Sequence, residues 1–172
     1  MSQELPSRVK QPRFRHARVV IVAAQYNEKY TDALLENCRQ ELEESAGHIE
    51  VEVLRVPGAF EVPMMVRRVL AGPGAAAPDA VVALGVILRG STAHADLIGT
   101  AVTQQLMAIS CETLTPVIHE VLLLDNEQQA YARCVAAELN RGCEAARCAL
   151  RMLEAVEEQG IMSRRAARSA RL

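Results

Sequence analysis

Two runs of unbroken aliphatic residues constrain this chain most: VVIVAA at 19–24 and AVVALGVIL at 80–88. A strand with one wet face alternates apolar and polar residues, whereas a run that is apolar at every position fits a strand covered on both faces. Such strands belong to parallel sheets held between layers of helices. PVIHEVLLL (116–124) reads as another strand, and IEVEVL (49–54) alternates, as a strand nearer a sheet edge does. Helical spacing fills the intervals. Leu34, Leu35, Cys38 and Leu42 share a face after a cap at Thr31. Val62, Met65, Val66 and Val69 share another, and Leu97, Ile98, Ala101, Val102, Leu106 and Ile109 a third. Two further helical patterns, 127–139 and 142–158, are broken at Asn140-Arg141-Gly142, and AGPGAAAPD (71–79) is a loop of helix breakers. The expected fold is α/β: a three-layer α/β/α sandwich around a four-stranded parallel sheet, flavodoxin-like.

The 172 residues suit one domain with a substantial core. No stretch approaches the ~20 apolar residues of a membrane helix, and MSQELPSRVKQPRFRHAR has no apolar segment of a secretory signal. A soluble cytoplasmic protein with no membrane partner is expected. Five cysteines without CxxC spacing read as buried reduced thiols rather than disulfides or a metal site, and four scattered histidines make no ligand cluster. Residues 1–18 carry five Lys/Arg against one Glu, and 163–172 carry four Arg and no acid. The expected organisation is a basic arm (1–17), an α/β domain (18–158) and a flexible basic tail (159–172). Basic arms bind nucleic acid or an acidic neighbouring subunit, or are simply solvated; nucleic acid is not expected here.

Open α/β sheets bind ligands beyond the carboxyl ends of their strands. The turns of interest are therefore 25–28, 56–61, 89–96 and 125–128. The third is richest, with Arg89, Gly90, Ser91, Thr92, His94 and Asp96 in eight residues. Ser91 and Thr92 offer hydroxyls and N–H groups at a helix N-terminus, where the macrodipole favours an anion. His94 is suited to accept and return a proton, with Asp96 placed to orient it. A helix cap with a solvent-facing His is the plain alternative. VPGAFEVP (56–63) sets a tight turn before Glu61; an ordinary strand–helix connection explains that as well. Arg133, one turn beyond Gln129, is a candidate for phosphate, or for an exposed ion pair.

VPGAFEVP, LGVILRGSTAHAD, Arg133 with the following Asn140-Arg141-Gly142, and the Tyr26-Asn27 pair after the first strand resemble, in order and spacing, the signatures of the lumazine synthase family. The similarity runs from about Arg18 to Leu153. It implies condensation of 5-amino-6-ribitylaminouracil with 3,4-dihydroxy-2-butanone 4-phosphate to 6,7-dimethyl-8-ribityllumazine, the penultimate step of riboflavin biosynthesis. No cofactor or metal is implied. By the same resemblance His94 is the general acid/base, and Ser91, Thr92 and Arg133 bind phosphate. Tyr26 stacks on the pyrimidine beside Asn27. Ala59, Phe60 and Glu61 hold the ribityl chain, and Val86, Ile87 and Leu88 offer backbone groups to the pyrimidine edge. His119 completes the site of an adjacent subunit in a pentamer, and riboflavin synthase is a possible partner.

The chain departs from the family pattern at His119-Glu120, where an aromatic and a glycine are common, and at Ala95, where an aromatic is common. Arg141 replaces a lysine, and Val135 and Leu139 stand where glycines often precede the NRG turn. The missing glycines favour isolated or paired pentamers over a closed shell. A non-catalytic shell or scaffold protein, or a flavin-binding module of the same fold, is the alternative function. Intact His94, Arg133 and Glu61 argue against it. No GxGxxG follows the first strand, which disfavours a dinucleotide site.

Overall fold

The computed structural model describes residues 5–9, 12–14, 16–45, 48–72 and 77–159. Residues 73–76 of the breaker loop and 160–172 of the expected basic tail lie outside the described residues. Strands β1 (Ala17–Ala24), β2 (Ile49–Val56), β3 (Ala80–Leu88) and β4 (Val117–Leu124) alternate with helices. These are α1 (Glu28–Ser45), α2 (Val62–Leu70), α3 (His94–Thr113), α4 (Glu127–Cys134) and α5 (Arg141–Glu158). All strand pairs are parallel, in the order β2-β1-β3-β4.

The two unbroken apolar runs are the two central strands, and alternating β2 is an edge, as its pattern requires. One face of the sheet packs Ile21 and Leu84 against Leu34 and Leu42 of α1 and Leu150 and Leu153 of α5, with Ala130 of α4 beside them. The other packs Val20 and Val81 against Val62 and Val66 of α2 and Val102 and Leu106 of α3. Each such side chain contributes ~1.5–3 kcal/mol on burial, so neither helical layer is dispensable. The β2-β1-β3 order reverses direction between β1 and β3, which places the ligand crevice of such a sheet at their carboxyl ends.

Four expectations change. Thr31 lies inside α1, buried, its hydroxyl donating to Asn27 O or Glu28 O; the helix starts three residues earlier, on left-handed Asn27 (φ 59°). The pattern at 127–139 splits: α4 ends at Cys134, and Asn140, 1 % exposed, binds both segments. Its Oδ1 accepts from Gly142 N (2.9 Å) and Cys143 N (3.1 Å), while its Nδ2 donates to Cys134 O (3.0 Å). A Cβ on Gly142 would stand 2.4 Å from Leu34 O, so only glycine lets α5 approach α1 there. Leu97, assigned to the apolar face of α3, is exposed, whereas Val102 and Leu106 are buried. Finally, Cys111 and Cys148 are exposed, although all five cysteines are free.

The arm meets its acidic partner within its own chain. Glu41 of α1, 3 % exposed, accepts from Arg8 (2.8 Å) and Arg147 of α5 (2.9 Å). Arg147 also donates to Pro6 O (2.7 Å), Arg151 to Ser7 O (3.2 Å), and Phe14 is buried in the core. Burial pushes the Glu41 carboxyl up, but bonds from the two guanidiniums outweigh it and hold the group down at about 2.

Candidate functional site

Because the strands are parallel, the turns leaving β1, β2, β3 and β4 share one edge of the sheet. The first two interlock. Gln25 N and Tyr26 N donate to Val56 O (2.8 Å) and Pro57 O (3.0 Å), and the exposed Tyr26 ring lies against Gly58. A Cβ on Gly58 would fall 2.9 Å from Tyr26 Cδ2, which explains the glycine. Glu61 Oε2 accepts from Gly58 N (2.9 Å), so part of its capacity closes its own 3-10 turn (Ala59–Glu61). Ala59 is buried and Phe60 exposed.

Asn27 crosses the switch point. Its left-handed backbone aims Nδ2 at Val86 O (2.7 Å), tying the β1–α1 turn to the end of β3. Val86 O thus already serves Asn27, while Ile87 and Leu88, both half-buried, run in register with Leu123 and Leu124 of β4.

The β3–α3 turn holds Ser91, Thr92 and His94, all exposed. α4 and α5 begin on asparagine caps, whereas the residue before α3 is Ala93, which has no capping side chain. The first internal bond of α3 runs from Leu97 N to Ala93 O (3.1 Å), so the preceding N–H groups point out of the helix end with little local competition. Thr92 Oγ1 lies 3.4 Å from His94 N. Asp96, expected to orient His94, instead accepts from Arg89 (2.6 Å), which also bonds Asp125.

Two expected residues are not brought to this turn within one chain. His119 pairs in register with Ala83, five residues before Leu88, and so sits ~16 Å down the sheet from its edge. Its Nδ1 accepts from Val121 N (3.1 Å), which puts the ring proton on Nε2, 2.8 Å from Thr103 Oγ1. Burial lowers the pKa of this imidazole, so it is neutral at pH 7, not charged. Arg133 is in the last turn of α4, and no hydrogen bond or ion pair joins it to the His94 turn. Its Nη1 is buried without a partner, which removes the exposed ion pair as its explanation.

Sequence reasoning missed the Arg89 bridge and the Asn27 bond to Val86. Asp125 and Asp96 at successive turns were the available signal for the first; nothing local announced the second. A groove of about 430 Å³ lies elsewhere, between α2 and α3, lined by Phe60, Met64, Arg67, Val102, Gln105 and Glu112. It reaches the candidate site only through Phe60. Among the described residues no group of His, Cys, Asp or Glu could hold a metal, and no helix is long and apolar enough to cross a membrane.

Residues 16–157 match the family model described as 6,7-dimethyl-8-ribityllumazine synthase. Proteins with that name are similar over most of their length. One from Xanthomonas campestris pv. campestris is 37 % identical over 82 % of this chain and 90 % of the relative. One from Nitrobacter hamburgensis is 40 % identical over 80 % and 84 %, and one from Streptomyces avermitilis 47 % over 67 % and 69 %.

Proposed function

This chain belongs to the 6,7-dimethyl-8-ribityllumazine synthase family, and from that premise we propose how its residues divide the work of the reaction. It is a transferase of riboflavin biosynthesis that joins 5-amino-6-ribitylaminouracil to 3,4-dihydroxy-2-butanone 4-phosphate. The scaffold and flavin-module alternatives are not favoured. The observation that carries the site assignment is the uncapped N-terminus of α3 with His94 as its first residue. The N–H groups of the first turn, the Ser91 and Thr92 hydroxyls and the helix dipole make an anion seat, and the butanone phosphate brings the anion.

The chemistry asks for repeated proton moves: an imine forms with loss of water, phosphate leaves, and the ring closes with loss of a second water. His94, exposed and beside the phosphate seat, takes and returns these protons. Tyr26 stacks on the pyrimidine, supported from beneath by Gly58. Ala59, Phe60 and the uncommitted oxygen of Glu61 hold the ribityl chain. Ile87 and Leu88, with Val86 in part, meet the pyrimidine edge. Arg133, like His119, serves the site of a neighbouring copy, where its guanidinium supplies the countercharge to the phosphate, its Nη1 still short of a partner.

The working assembly is a pentamer in the cytoplasm. His119 is too far down its own sheet to serve its own His94, so it lines the site of the next copy. Phe60 and Met64, exposed along the α2–α3 groove, give that copy an apolar seat. Riboflavin synthase is a natural partner for handing on the product. Incubating the purified chain with both substrates tests the reading, with lumazine formation followed by absorbance and mass measured by native spectrometry. Turnover by a pentamer is expected. A folded chain without turnover would remove the activity, and an active monomer would remove the shared site.

A further inference from the structure

We infer that Arg89 is a positioning residue that holds the His94 turn in its working geometry; the inference rests on the proposed role of that turn. Arg89 is the first residue beyond β3, and its N–H donates to Leu124 O (2.8 Å), so its backbone is pinned to the end of β4. Its guanidinium then reaches in two directions. Nη2 donates to Asp96 Oδ1 (2.6 Å) in the first turn of α3, and Nη1 donates to Asp125 Oδ1 beyond β4. Asp125 is itself fixed: its N–H donates to Gln129 Oε1 (3.0 Å), and its Oδ2 accepts from Gln129 Nε2 (3.1 Å). A continuous polar chain therefore runs from the first turn of α3 to the first turn of α4.

The intervening turn has little else to hold it. Gly90 has open space where a side chain would be, Ser91 and Thr92 are exposed, and Ala93 supplies no cap. Buried Ala95 anchors α3 on one side, but its methyl cannot set the rotation of the helix end. Val102 and Leu106 set it further along the helix, and the Arg89–Asp96 bond ties the first turn of α3 to the end of β3; the planar fork suits Arg89 to two carboxylates at once, which a lysine cannot match.

A kinetic double-mutant cycle tests this. Arg89→Gln is expected to lower kcat about fivefold, the upper end for an exposed bridge, because the bridge fixes geometry rather than charge in the site. The KM for the pyrimidine should stay within about twofold, and Arg89→Lys should recover part of kcat. In a His94→Ala background the same Arg89→Gln change should alter kcat by less than about twofold, since the group being positioned is gone. If Arg89→Gln is too unstable to assay, Asp125→Asn removes one arm of the bridge and should show a smaller loss with the same dependence on His94. An equal effect in both backgrounds, or none in the first, overturns the positioning role. A wild-type chain without turnover, or His94→Ala as active as wild type, would overturn the underlying site reading instead.

Discussion

The α1–α5 face and the carboxyl edge of the sheet use the same side chains to opposite ends. On the helical face Glu41 is 3 % exposed and has guanidiniums of Arg8 and Arg147 within 3 Å, so three segments far apart in sequence are closed on one charge. At the carboxyl edge α3 starts on alanine, and Ser91, Thr92 and His94 stand exposed. One region spends its polar groups on holding the chain together; the other leaves them exposed to solvent.

The sharpest way to break this contrast is on the closed side. Glu41→Gln should remove ~3 kcal/mol of stability, read as a lower urea midpoint, because it leaves Arg147 and Arg8 facing an uncharged partner in a buried place. The carboxyl is held below its usual value, so its contribution is present above the unfolded pKa and is lost as pH falls from about 4.5 toward about 2. The difference between wild type and variant should be constant from pH 5 to 7 and shrink only below that window. A loss near zero at pH 7 would mean that the arm and α5 do not depend on this charge.

On the open side, His94→Ala should cut turnover ~10²-fold, the scale of a general acid/base, without changing the urea midpoint. A large drop in stability would return His94 to a structural role. Arg133→Ala should raise the KM for the butanone phosphate ~10-fold, leaving that for the pyrimidine nearly unchanged, as expected for loss of one charge-assisted contact. Equal rises in both KM values would say that the unpaired Nη1 serves the fold.

Glu120 lies between the two cases: a carboxyl on the same face of the sheet as Glu41, with no guanidinium hydrogen-bonded to it among the described residues. Burial pushes it up to about 7, Glu144 adds to the shift, and Arg141 only partly offsets it. A raised carboxyl stabilises the fold least when ionised, so its penalty grows as pH rises from about 4.5 through about 7. Glu120→Gln should therefore gain ~2.5 kcal/mol on wild type between pH 5 and pH 8, measured by chemical denaturation. A gap that does not change with pH would show that water reaches the group.

The strand core and the turns were legible in the sequence because both signals are local. An unbroken apolar run is its own evidence of a strand covered on two faces, and Val86 to His94 lie on nine consecutive residues at the end of one. Helix limits were less legible: the apolar period crosses 127–139, but Asn140 can bond both flanks only once α4 has ended at Cys134. What tertiary structure alone decided is which partner each polar group chose. Asp96 stands two residues from His94 yet bonds Arg89; Asn27 reaches Val86, 59 residues away; Glu41 meets Arg147 across 106. Strand order and register set those distances, and a hydrogen bond or ion pair forms with the group that packing brings within about 3 Å, whatever the separation along the chain.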